Sequence, residues 1–206
     1  MKLSDKGNGD FEQAPAGTHI ARCVRLIDLG TQFGEYQGKP NSARKVVVTW
    51  ELPNALMAEG DFAGKPFLVG KWYTASLSEK ANLRKDLVNW RGREFTDEEL
   101  MGFEAKKILG TTCMLSLTPN EKNKVRVTGI MKLPAGTQCP AQINPSVYFS
   151  LEREEFNQAT FDGLAEFWQK EISKSPEWAD LQGKPGPVKA STKGSKFDDF
   201  EDDIPF

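Results

Sequence analysis

A single histidine, His19, stands in a chain of 206 residues. That scarcity removes several chemistries at once. A Ser/His/Asp relay would have to draw its base from a strand-like stretch, and a zinc site of the Cys/His kind lacks ligands. Cysteine is scarce too. Cys23, Cys113 and Cys139 lie far apart with no Cys-x-x-Cys pair, so three buried thiols in a reducing compartment are expected, with no metal and no cofactor. No apolar run approaches the roughly 20 residues that cross a bilayer, and the mean hydropathy is −0.51. Residues 1–7 hold no apolar stretch of the kind a signal peptide uses, so a cytoplasmic protein without membrane partners is expected. A phosphate-binding loop is missing as well, since Gly64-Lys65 has no glycine frame before it and no hydroxyl after it. Carboxylates are plentiful, but no motif gathers them as two-metal chemistry requires. The expectation is a protein that is not an enzyme.

What the chain does have is a polarity of charge. Residues 1–151 carry 20 Lys and Arg against 16 Asp and Glu, residues 152–183 carry 3 against 8, residues 184–196 carry four lysines and no acid, and residues 197–206 carry five acids and no base. A basic body followed by an acidic end fits a nucleic-acid binder that holds its own competitor.

The pattern along the chain is mainly β with α insertions. Residues 1–16, with Gly7, Gly9 and Pro15, read as a flexible arm. Thr18–Leu29 alternates and is rich in branched side chains, so it reads as a strand. Residues 30–40, holding Gly30, Gly34 and Gly38 with Phe33 and Tyr36, read as a loop. In the second strand, Arg44–Leu52, Val46, Val48, Trp50 and Leu52 fall on one face and Lys45, Val47, Thr49 and Glu51 on the other. Phe67–Ala75 reads as a third strand. Ser76–Glu79 fits a capping box for a helix with Leu83, Leu87 and Trp90 on one stripe, stopped by Gly92. Thr96–Glu99 fits a second box, for a helix that ends near Leu109 with Lys106, Lys107 and Gly110 at its close. Strands resume at Thr111–Leu117 and Lys124–Leu133 around a turn at residues 119–123. A short strand around Val147–Phe149 follows a proline-rich loop, and a helix covers Phe161–Ser173 with Leu164, Phe167, Trp168 and Ile172 as its apolar face.

Three strands, helices, then two strands is the order of a five-stranded oligonucleotide-binding (OB) barrel with helices between strands 3 and 4; a generic α+β sheet gives the same string. The barrel domain would span 17–182, with a flexible linker at 183–196 and a disordered acidic tail at 197–206.

A barrel that binds single-stranded DNA needs cations for phosphates and aromatic faces for bases. The candidates are Phe33, Tyr36 and Lys39 in the first loop, Arg44 and Lys45 opening the second strand, and Lys71, Trp72 and Tyr73 on the third. Neighbours on a strand point to opposite sides, so Lys71 and Tyr73 are expected outward and Trp72 in the core or at its rim; which of Trp72 and Tyr73 stacks on bases stays open. Arg91 and Arg93 flank Gly92 past a helix end, where phosphate contact and a complement to the helix dipole are both open readings. Arg126 and Lys132 complete the set.

The last residues carry a further signal. Asp202-Asp203-Ile204-Pro205-Phe206 joins a solvated acidic run to a stiff turn, a ring and a carboxylate, which suits capture in a basic pocket with an apolar floor. This string resembles the tip of bacterial single-stranded DNA-binding proteins. In the body, the run from Leu77 to Leu87, the run from Trp90 to Thr96, Trp50-Glu51-Leu52-Pro53, Phe161-Asp162-Gly163-Leu164 and the run from Ile172 to Trp178 resemble a family of phage-encoded single-stranded DNA-binding proteins. The resemblance implies an OB fold, a role in phage DNA replication or recombination in the cytoplasm of a bacterial host, and recruitment of replication and repair proteins through the tip. The tail is also expected to compete with DNA for the barrel. The alternatives are an adaptor that binds proteins at both ends and a strand-annealing recombination protein.

Overall fold

The structure is a computed structural model that describes residues 12–36 and 39–183. Residues 1–11, Gln37, Gly38, the side chain of Tyr36 and the expected linker and tail beyond Gly183 lie outside the described residues. The end of the expected arm is not loose. Ala14 is buried, the Glu12 carboxylate accepts from the amides of Ala58 and Glu59, and the Gln13 side chain accepts from the amide of Val125 at 2.8 Å.

The fold is mainly β. Strands β1 (Gly17–Tyr36), β2 (Lys39–Leu56), β3 (Pro66–Thr74), β4 (Thr112–Pro119) and β5 (Val125–Lys132) form antiparallel pairs in the order β3-β2-β1-β4-β5, and β6 (Val147–Phe149) lies parallel to β1. The 20 residues of β1 serve both sides of the sheet. Gly17–Arg22 pair with β4, and Arg22–Tyr36 pair with β2. Register shifts at Val24 and Leu29 interrupt this second ladder; extra residues of this kind bend a strand and strengthen its twist. The stretch expected as a loop at 30–40 is therefore a continuation of both strands, with Gly30 opposite Lys45 and Tyr36 opposite Lys39. Gly30 makes this possible at φ 68°, and Pro40 is tolerated because β2 has no β3 partner beyond Lys45.

Helix α1 (Asn82–Arg91) packs against β5 and β3, the two ends of the strand path, which approach each other without a ladder among the described residues. Its N-cap is Ala81, not a serine of the expected box, because Ser78–Lys80 is spent on a turn; Gly92 ends it at φ 67° as expected. Thr96 and Glu99 do form a capping box for α2 (Asp97–Met101), but Gly102 stops that helix early, and Lys106 and Lys107 belong to a separate 3-10 turn.

Two apolar cores lie on opposite faces of the sheet. In the first, Val48, Trp50 and Leu52 of β2, with Val46 at their margin, meet Leu87 and Trp90 of α1 and Leu115 and Ile130 of β4 and β5. The rings of Trp50 and Trp90 stand 5.7 Å apart, and the Trp90 indole donates to the Thr112 carbonyl at 2.9 Å. The second core covers the other face of β1–β3. It joins Ile27, Leu29, Val47 and Trp72 to Phe149 of β6 and to three short helices, α3 (Gln158–Asp162), α4 (Glu166–Ile172) and α5 (Pro176–Leu181). These replace the single helix expected over 161–173, because Gly163 closes α3 before α4 begins; Phe167 consequently points out, 45% exposed. No described helix is long and apolar enough to cross a membrane.

Candidate nucleic-acid interface

The third strand does not present the expected face. Tyr73 is 1% exposed within the first core, and Trp72 is 7% exposed within the second. Both sides of β3 are covered, so neither ring is available to a base, and the expectation that Tyr73 faces outward is corrected. Lys71 shares the Tyr73 side of the strand. Its ammonium donates to Asp86 Oδ2 at 2.8 Å, and the Tyr73 hydroxyl donates to the same oxygen at 2.8 Å. Asp86 on α1 thus holds two of the expected DNA-binding groups in a structural knot.

The β1–β2 hairpin has a different character. Beyond Lys45 it extends past β3, and along it Phe33 is 45% exposed and Lys39 is exposed. Tyr36 ends β1, and its side chain lies outside the description. The hairpin is braced at its base. The Thr31 amide and hydroxyl both donate to the Glu177 carboxylate, at 2.8 and 2.6 Å, and the Gln32 amide group donates to the Glu171 carbonyl. Gly30 is required here twice over, by its φ and because a Cβ would lie 2.5 Å from Ser175.

Arg44 sits at that base but is committed. It donates to both oxygens of Asp28 and to Glu152 Oε1, and its hydrogen bonds with Asp28 hold the guanidinium above its ordinary pKa range. Asp28 also accepts from the amides of Gly30 and Leu151, so it ties β1, β2 and the start of the C-terminal cover together. The Lys45 ammonium donates to the Thr74 hydroxyl at 3.2 Å.

A second group forms at the end of α1. Arg91 and Arg93 both bond to the carboxylate of Glu99, whose pKa is held well below the usual carboxylate range by the two guanidinium donors. Arg91 also lies 4.3 Å from the Phe95 ring centre, with one terminal nitrogen buried and unpartnered. Lys132 runs past Gly92, so the sheet brings it beside the two arginines. Three cations here face one acid among these residues. Arg126 is exposed on β5 opposite Thr118 and does not join this group.

Some residues escape sequence reading. Glu51 is fully buried, and its carboxylate accepts from the amides of Ile143 and Asn144 and from the Asn144 side chain, pinning the proline-rich loop over the sheet. Its place among the apolar residues of β2 was the available signal. The cysteines are partly as expected. Cys23 and Cys113 are buried, with the Cys23 thiol pushed up to about 12 by burial, while Cys139 is only half-buried. Among the described residues no cluster of three His, Cys, Asp or Glu side chains is placed to hold a metal ion. Compared with models of protein families the chain matches none, and no curated protein sequence matches it.

Proposed function

We propose that this chain is a sequence-nonspecific single-stranded DNA-binding protein on an OB barrel. The strand order supports the fold, with α1 and α2 inserted between β3 and β4 and with β3 and β5 drawn together against α1. The observation that carries the function is the β1–β2 hairpin: a braced arm, extending past β3, that carries the exposed ring of Phe33 and, three pairs further along and on its other face, the cation of Lys39. An aromatic face and a cation on one rigid arm are what an unpaired strand recognises without regard to sequence. The Arg91, Arg93 and Lys132 group adds a second phosphate-facing patch. The motifs that resemble phage-encoded single-stranded DNA-binding proteins support a role in phage replication or recombination. The Asp202–Phe206 tip then recruits replication or repair proteins.

Four of the five tryptophans, Trp50, Trp72, Trp90 and Trp168, are buried. Anisotropy of a labelled oligo-dT is therefore a better readout than tryptophan quenching. Micromolar or tighter binding is expected at low salt, weakening linearly in log salt, and Phe33→Ala loses about 1–3 kcal/mol of it. No complex at micromolar protein overturns the reading and leaves the adaptor.

A further inference from the structure

We propose that Arg25 seats a backbone phosphate of the bound strand, in a seam between the two covers of the sheet's outer face; this rests on the single-stranded DNA reading above. Cross-strand partners share a face of a sheet. The register places Val147, Arg25, Thr49 and Gly70 in one row across β6, β1, β2 and β3. The next row on one side is Phe149, Ile27, Val47 and Trp72, all buried under the C-terminal helices. On the other side stands Glu51, capped by the loop at Ile143 and Asn144. The Arg25 row lies between these covers.

The row is built for an anion and holds none of the chain's own. Arg25 is half-buried, and its Nε is shut from solvent without a hydrogen-bond partner. No described carboxylate pairs with it, whereas Arg44, Lys71, Arg91 and Arg93 each have an acid. Burial without a counter-charge lowers its pKa from the ordinary value. Thr49 offers a hydroxyl that bonds to no described residue, and Gly70 brings no side chain to fill the space opposite. The two terminal nitrogens of the guanidinium bond to no described residue and are not among the buried unpartnered atoms, and their planar arrangement suits phosphate oxygens.

The test uses the full chain with labelled oligo-dT over a salt series. Arg25→Gln is expected to weaken binding about five- to tenfold at low salt and to flatten the log–log salt slope by about 0.7, the loss of one phosphate contact on a single strand. Arg25→Lys keeps the slope and loses part of the affinity. Unfolding by urea should show Arg25→Gln no less stable than the parent, because an unpaired half-buried charge has gone. If Arg25→Gln does not fold, Arg25→Met takes its place with the same expected slope. A parent chain that binds while the neutral variant keeps its slope overturns this inference alone; a parent chain that does not bind overturns both readings.

Discussion

The indole rings of Trp72 and Trp168 stand 5.8 Å apart and are tilted by 42°. This contact belongs to the second core, which covers one face of the sheet. It joins β3 to α4 and covers the face of β1–β3 next to the Arg25 row, while the hairpin extends beyond β3.

Truncating that contact should be costly. Trp168→Ala removes a ring that is 7% exposed, and the expected loss is about 3–5 kcal/mol of folding stability, read from urea unfolding. Trp168→Phe should recover part of it. Little change in the midpoint would mean that the helical cover is not part of the cooperative fold.

Tyr73 separates structure from binding. Its hydroxyl donates to the Asp86 carboxylate, so Tyr73→Phe should lose about 1.5–3 kcal/mol, as for a hydrogen bond to a charged group. Oligo-dT affinity of the folded variant should not change. A loss of affinity with intact stability would return this ring to the DNA interface.

Gly30→Ala would force a side chain into φ 68° and against Ser175. Left-handed backbone costs about 1–2 kcal/mol for a residue with a Cβ before any clash. The brace from Thr31 to Glu177 should loosen, and hydrogen exchange at the Thr31 amide should speed up. Unchanged exchange would show that the hairpin base moves freely enough to absorb the change.

Alkali should unfold the protein from its first core. Burial pushes the Cys23 thiol from 9.0 to about 12 and moves Cys113 the same way. Above pH 9 the unfolded chain loses these protons while the folded chain keeps them. The contribution of these thiols to stability is therefore level below pH 9 and falls as pH rises toward 12. Melting temperatures across that window check this, and Cys23→Ala should reduce the slope.

Removing residues 197–206, which carry five acids, should tighten oligo-dT binding most at low salt, where a tethered anion competes best. Equal affinity at every salt concentration would show that the tail does not compete.

Local rules carried much of the fold. Alternation in β2 sorted Val46, Val48, Trp50 and Leu52 onto the first core, and the Thr96–Glu99 pair announced α2. The candidate surface was harder to read, for a physical reason. Period-2 alternation says that Trp72 and Tyr73 point apart, but not that both sides are covered: α1 and the first core close over Tyr73, and residues 147–181, far along the chain, close over Trp72. The hairpin was hidden because Gly30 and Gly34 resemble loop residues, although Gly30 serves as the hinge of a bulge. Arg25 was hidden by its neighbours, since a cation in an apolar strand reads as surface until its Nε is found buried without a partner.

The late arrival of the second core has a consequence for synthesis. Strands β1 to β3 leave the ribosome long before the segment that shields Ile27, Val47 and Trp72. Until residue 181 has emerged, the nascent chain carries a bare, greasy sheet, the kind of surface that draws chaperones or aggregates. Stalled chains ending before Val147 should bind a hydrophobic dye that a chain extending past Leu181 ignores, because only the latter covers Ile27, Val47 and Trp72.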